Sequence, residues 1–332
     1  MKIVVTGATG FVGGALVRAL LAEGHAVVGV KRPLRLRSMQ ASSSPPTIQH
    51  PNLTWASADV TDPASLRGLF DGADWLIHAA GMLGQVGVPE SAYLKLHEQG
   101  TNHVLTEAQQ AGVGRILYVS SPGVLGPISG PPADETAPLA PSNPYERSKA
   151  AAEMVAQVHA KAGLPVIIAR PEFIYGPTDL HVLGLFKAVR DGRFFTIDGG
   201  KYSCHPTYID DAVAGMLLAL RNGRSGEIYH ITGPQPVTFH ELGQTIAAAL
   251  DAPPPKLNLP RWLAWFGAAT LEVGLGLIKK QPPLSRTGVA FFSENRRFSW
   301  QKAHEELGYT PQFDLARGVA ETVAWYRENG LV

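Results

Sequence analysis

Cysteine is nearly absent from this 332-residue chain. Cys204 is the single one, which excludes an internal disulfide and any metal centre built on several thiolates. Its neighbour His205 makes a two-residue pair too thin for a metal site, so no metal is expected and both residues read as structural. A dominant charge is also missing. Lys and Arg total 29 against 28 Asp and Glu, so no overall field draws the chain to nucleic acid, and any anionic partner needs a local patch. Long apolar runs are lacking as well. Gly7, Gly10, Gly13 and Gly14 interrupt the run that a signal peptide requires, and the apolar stretch 262–278 carries Glu272 and several glycines. That stretch falls short of the roughly 20 residues a spanning helix needs, so no transmembrane helix and a reducing, cytoplasmic setting are expected.

What is present is enough apolar sequence, 45% of 332 residues, for one large core and a smaller one. The first half alternates short β-branched runs (3–6, 26–30, 75–78, 116–120) with helical patterns (15–23, 63–70, 91–111). Such alternation predicts an α/β fold, a doubly wound parallel sheet with helices on both faces. Further strands are expected at 165–169, 207–208 and 227–231, and the Ser- and Pro-rich segment 38–51 reads as a surface loop. Past Gly176 the pattern becomes mainly helical, with helices expected near 181–190, 211–221, 239–250, 299–308 and 315–329. The expected division is a dinucleotide-binding domain over 1–175 with a return segment near 204–232, and a substrate lobe over 176–203 and 233–332.

Gly7-Ala8-Thr9-Gly10-Phe11-Val12-Gly13 follows the first predicted strand and opens the first helix. Small residues at that spacing let backbone N–H groups approach a pyrophosphate, which then sits at the positive end of the helix. The second strand ends in Val30-Lys31-Arg32, two cations where an acid would meet a free ribose 2′-hydroxyl. Either these cations hold a 2′-phosphate, which favours NADP(H) over NAD(H), or they solvate a loop that also carries Arg35 and Arg37. Asp59-Val60 after the third strand is placed to cap the adenine side, although Asp59 and Asp62 are equally suited to cap the helix expected from Pro63.

Tyr145 and Lys149 stand four residues apart, on one face of a helix entering at Asn143-Pro144. An ammonium near a phenol favours the phenolate and lowers its pKa, which suits Tyr145 as general acid or base. Lys149 also suits a ribose hydroxyl of the cofactor. Ser121 ends a strand 24 residues before Tyr145, where its hydroxyl can meet the same substrate oxygen; Ser120 competes for that role.

Taken together, TGATGFVG at 6–13, DVTD at 59–62, HAAG at 78–81, YVSS at 118–121, YERSK at 145–149, RPEFIYGP at 170–177 and PTYIDD at 206–211 resemble the extended short-chain dehydrogenase/reductase family over nearly the whole chain. The resemblance implies a Rossmann fold with a smaller, mainly helical C-terminal lobe. It implies chemistry at Ser121, Tyr145 and Lys149. It also implies a cofactor lined by Gly7, Thr9, Gly10, Phe11, Val12, Gly13, Lys31, Arg32, Asp59, Val60, Ala79, Ala80, Gly81, Tyr145, Lys149, Pro171 and Phe173. The C-terminal half is similar to the 3-beta-hydroxysteroid and sterol-carboxylate dehydrogenase-like branch, through HPTYIDD, GEIYHITGPQPVTFHEL, LPRWLAW and LGYTPQF.

Two departures bear on function. His97 stands where the family usually has Asn in a helix, and a helical His is more often a packing or surface residue. Phe173 stands where nucleotide-sugar enzymes of the family carry Asn, which argues against a diphosphosugar. The expected function is hydride exchange with a secondary alcohol or ketone of an apolar, steroid- or lipid-like molecule. A sugar-nucleotide epimerase or dehydratase and a non-catalytic NAD(P)-binding sensor are the rivals. Trp262, Trp265, Phe266 and the residues through Ile278 either roof the substrate, meet a membrane surface with Lys279 and Lys280 at the headgroups, or pack as an amphipathic helix. A homodimer through 91–111 and 145–160 follows by analogy.

Overall fold

The computed structural model describes residues 1–33, 48–277 and 285–332. The expected loop at 38–47 and the cations Arg35, Arg37, Lys279 and Lys280 lie outside the described residues, as does Ile278. In chain order the chain runs β1 Lys2–Thr6, α1 Phe11–Ala22, β2 Ala26–Lys31, β3 Leu53–Ser57, β4 Trp75–His78, α2 Glu90–Leu94, a π-helical turn Lys95–Gln99, α3 Gly100–Gln110, β5 Arg115–Val119, α4 Pro144–Lys161 and β6 Val166–Pro171. It continues with β7 Ile174–Tyr175, α5 Leu183–Arg190, β8 Phe195–Ile197, β9 Ser203–Cys204, β10 Thr207–Tyr208, α6 Ile209–Asn222, β11 Ile228–Ile231, β12 Val237–Thr238 and α7 Phe239–Ala249. It closes with β13 Leu257–Leu259, α8 Arg261–Leu277, α9 Arg286–Phe292, α10 Gln301–Leu307 and α11 Leu315–Glu328.

Seven strands form one parallel sheet in the order β11-β6-β5-β4-β1-β2-β3. Period-2 alternation splits its strands between two cores. Ile3, Val5, Ile77, Leu117 and Ile167 join Leu16, Leu20, Met216 and Leu220 of α1 and α6, while Val4, Leu76, Ile116 and Ile168 join Val104, Leu105, Ala152 and Ala156 of α3 and α4. Both faces are therefore apolar, and a sheet so patterned must be covered on both sides. The doubly wound Rossmann arrangement expected from the sequence is the one observed.

The strand order reverses between β1 and β4, and ligands of open parallel sheets bind at the carboxyl ends of the strands beside such a reversal. The turns after β1 and after β4 meet there. One predicted element differs. The helix expected over 63–70 is only a 3-10 turn, Pro63–Leu66, because Gly68 within that stretch adopts left-handed backbone (φ +70°) and stops it. Asp62 caps that turn through the Ala64 N–H at 3.1 Å, which leaves Asp59 for other contacts.

Candidate active site

The glycine turn is shaped by what it must touch. Gly7 has φ +71°, and a Cβ on it would stand 2.6 Å from the Ala79 carbonyl oxygen; a Cβ on Gly13 would stand 2.2 Å from the Gly7 oxygen. Only hydrogen fits at either place, so the turn after β1 and the Ala79–Gly81 turn after β4 press backbone to backbone. The start of α1 carries no side-chain cap and no acid in its first turn, so the orphan N–H groups of Phe11, Val12 and Gly13 are the donors at that end. Such a cradle fits a pyrophosphate. Behind it, Thr6 Oγ1 lies 2.7 Å from His78 Nδ1, and His78 Nε2 lies 3.1 Å from Thr101 Oγ1. Burial, reinforced by Lys149, pushes His78 down to about 3, so this brace is neutral at physiological pH.

Past the carboxyl ends of β2 and β3 the residues predicted for the adenine side gather with one exception. Lys31 stands over the Trp55 ring, 5.8 Å from its centre, and Arg32 lies 3.7 Å from Asp59, a loose pair with the Arg32 side chain 48% exposed. Asp59 also accepts from the Thr61 N–H and hydroxyl, both at 2.8 Å. The exception is Val60, whose side chain is buried where a Cβ on Gly100 of α3 would come within 3.0 Å, and whose carbonyl oxygen lies 3.0 Å from His103 Nδ1 of the same helix.

Beyond β5, Asn143 caps α4 through the Glu146 N–H at 3.0 Å, with Pro144 in the first turn. This capped start carries Tyr145 and, one turn on, Lys149. The two serine candidates separate cleanly, because neighbouring residues at a strand end point to opposite sides. Ser120 is buried and donates to Glu153 Oε2 at 2.7 Å, and Glu153 is in turn held by Arg170 through two bonds, Nε at 2.9 Å and Nη2 at 2.5 Å. Ser121 is half-buried and faces the Tyr145 phenol closely enough to oppose the rise in its pKa, while its oxygen accepts from the Gly123 N–H at 3.2 Å.

The electrostatics correct one expectation. The Tyr145 phenol is pushed up, not down: burial is the largest cause, Glu172 and Glu146 add to it, and Ser121 opposes. Lys149 does not relieve it, because its ammonium donates to the Val119 carbonyl at 2.7 Å and lies over the Tyr118 ring. Burial lowers Lys149 to about 8, so this cation is poised to change charge close to neutrality.

Three site residues escaped the sequence reading. Glu172, at the carboxyl end of β6, is buried and raised to about 7 by that burial, with Arg296 opposing and Glu146 adding. An acid following directly on the mostly apolar strand Val166–Pro171 was the available signal. Arg296 is buried too and pairs with Glu146 at 2.7 Å. Tyr93 accepts from the Gln85 N–H at 2.6 Å and so holds the 81–88 loop, whose Gly84 lies against Tyr145. Phe173, just past Glu172, takes a left-handed φ of +35°, a strain of the kind that clusters at functional sites. Its ring packs 5.6 Å from Phe291, which continues to Phe239 and Phe292, so Phe173 is anchored in an aromatic cluster that belongs to the core.

His97 sits in the π-helical turn between α2 and α3 and is neither surface nor passive packing. The Met82 N–H donates to Nε2 at 3.0 Å, which puts the ring proton on Nδ1; that N–H donates to Ser148 Oγ at 2.8 Å, and the Ser148 hydroxyl donates to the Tyr145 carbonyl at 2.7 Å. The relay ties the 81–88 loop to the turn that carries Tyr145. Burial, with Lys149 and His78, lowers His97 to about 3. The unfolded chain therefore takes up a proton below about 6.5 that the folded chain refuses until about 3, and stability falls as pH drops through that window. His97→Asn, which can still accept and donate, is expected to keep neutral-pH stability and to make the acid-side slope shallower by about 1.4 kcal/mol per pH unit. His97→Leu strands two polar partners and is expected to cost about 2–5 kcal/mol. Urea melts at pH 7 and pH 5 check both; equal losses for Asn and Leu would contradict the relay.

Comparison with known proteins gives a consistent picture. The profile of the NAD dependent epimerase/dehydratase family matches residues 3–232. Sterol demethylase protein B of Methylococcus capsulatus is 30% identical, with all of both chains covered. 2-Alkyl-3-oxoalkanoate reductase of Stenotrophomonas maltophilia is 30% identical over 96% of this chain and 97% of its own. Among solved structures, the dTDP-glucose 4,6-dehydratase DesIV of Streptomyces venezuelae with NAD and TYD bound superposes with a TM-score of 0.79 at 29% identity, covering 99% of this chain and 98% of that one.

Proposed function

This chain belongs to the NAD dependent epimerase/dehydratase family, and from there we propose that it is an oxidoreductase acting on a secondary alcohol or ketone of an apolar, steroid- or lipid-like molecule. The observation that carries the reading is that Ser121, just past the carboxyl end of β5, is close enough to the Tyr145 phenol to act on its pKa, on the strand edge where ligands of open parallel sheets bind. A bound NAD(P)(H) supplies or accepts the hydride. Tyr145 gives a proton to the substrate oxygen in the reductive direction, and Ser121 orients that oxygen. The raised pKa of the phenol suits a group that must stay protonated until it donates. Lys149, at about 8, is the cation nearest to this chemistry and is suited to a ribose hydroxyl. The glycine turn, Thr9, Phe11 and Val12 hold the pyrophosphate; Ala79–Gly81, Pro171 and Phe173 line the nicotinamide side.

The apolar substrate class is supported by Phe173, an apolar ring held by Phe291 at 5.6 Å, where an amide would be needed to hold a sugar. The likeness to a dehydratase supports the rival reading, in which the cofactor is recycled within each turnover. Mixing the protein with reduced cofactor and a panel of apolar ketones separates the two. Ketone-dependent loss of reduced cofactor is expected; turnover of dTDP-glucose with no net consumption would replace the proposal by its rival.

NADP(H) is the proposed preference, resting on Lys31 and the loosely paired Arg32. One guanidinium–phosphate contact corresponds to about 10- to 100-fold in affinity. Arg32→Ala is expected to weaken NADPH by about that factor and NADH by less than about twofold. Equal effects on both in a fluorescence titration would remove the preference. A homodimer through α3 and α4 is also proposed, since Met154 and Val158 leave α4 with an exposed apolar strip.

A further inference from the structure

Helix α8 packs the wrong way round for a helix that only fills space. Among its described side chains the buried positions are the small ones, Ala264 and Ala268, set against Ile197 and Val289. On the opposite face Trp262, Trp265 and Phe266, at i, i+3 and i+4, are 71%, 50% and 61% exposed, and exposed Leu263 lies beside them. A surface helix normally buries its large apolar residues and leaves small or polar ones outside. An inverted face of this kind, contiguous and aromatic, marks an interaction site.

The charges around it choose the partner. Lys256 just before β13, Arg261 at the start of α8 and Arg286 at the start of α9 are exposed cations. Glu272, the single acid on α8, is taken by Arg286 through its backbone N–H and its Nε, both at 2.7 Å. Arg261 reaches Glu294 only at 3.6 Å and keeps half of its side chain in solvent. Two tryptophans and a phenylalanine on one face, rimmed by cations and on a helix whose one acid is paired, match the boundary between lipid headgroups and acyl chains. Among the described residues no helix is long and apolar enough to cross a membrane, so the contact this face makes is with a surface.

We propose that α8 docks the protein on a bilayer surface carrying anionic lipid, with Trp262, Trp265 and Phe266 entering the acyl boundary and Lys256 and Arg261 meeting the headgroups. This docking needs neither cofactor nor substrate and stands independently of the catalytic reading. The test is flotation of the full chain with vesicles of phosphatidylcholine, with and without phosphatidylglycerol, while tryptophan emission is followed. Flotation with the anionic vesicles and a blue-shifted emission are expected. The triple variant Trp262→Ala, Trp265→Ala, Phe266→Ala changes only exposed side chains. It is expected to melt as the parent does while losing at least about tenfold in partitioning, and Lys256→Glu with Arg261→Glu is expected to abolish the preference for anionic lipid. Absence of flotation with either vesicle, or a triple variant that floats as well as the parent, would overturn the proposal. So would a dimer in sedimentation velocity that the triple variant abolishes while flotation is absent, since the face would then join two copies of the chain.

Discussion

Tyr145→Phe is expected to lower turnover by about 10²-fold or more while leaving cofactor affinity within about twofold. The substitution removes one oxygen and keeps the ring, whose edge contacts with His97 at 5.7 Å and Tyr93 at 6.3 Å hold it in place. Folding should therefore survive, and the loss can be read as chemistry. In the oxygen's absence Ser121 keeps its bond from the Gly123 N–H, so the rest of the site has no reason to rearrange. Steady-state rates and a cofactor titration on the same preparation make the check. Unchanged turnover would show that the proton comes from elsewhere, and a biological role that survives the substitution would favour a dinucleotide sensor.

Gly13→Ala is expected to raise the dissociation constant for the dinucleotide by about 100-fold or more, with Gly14→Ala as its control. The two residues are neighbours in α1. A methyl at Gly13 would lie 2.2 Å from the Gly7 carbonyl oxygen, so the turn must move, whereas at Gly14 the nearest backbone atom, Ala8 O, is 3.5 Å away, an ordinary contact. Gly14→Ala should bind as the parent does and gain about 0.5–1 kcal/mol from helix propensity. Thermal melts separate a displaced turn from a lost fold. Parent-like binding by Gly13→Ala would mean that the turn does not shape the site.

How far the molecule could be read from its sequence depends on how local each cause is. The strand, turn and helix of 2–22 were legible because the glycine spacing, the β-branched run and the helix start are all local. The capped entry of α4 was legible for the same reason. The choice between Ser120 and Ser121 was not, because it depends on which side of the sheet holds Glu153 and which holds Tyr145. The phenol's raised pKa was misjudged because a four-residue spacing puts Tyr145 and Lys149 on one face without saying where the ammonium goes, and it goes to Val119. Glu172 and Arg296 reach the site only through the tertiary fold. His97 was undervalued: its partners Met82 and Ser148 are far away in sequence, and the π-helical turn that presents it leaves no mark in hydrophobic periodicity. The 63–70 helix failed for the opposite reason, since Gly68 inside the window was a local warning outweighed by its periodicity.

The most direct test of the central claim is isotopic. Reduced cofactor deuterated at the transferring carbon is incubated with the protein and an apolar ketone, and the product is weighed by mass spectrometry. The account predicts an alcohol carrying one deuterium and one equivalent of oxidised cofactor. Reduced cofactor recovered in full, with every ketone in the panel unchanged, would contradict it.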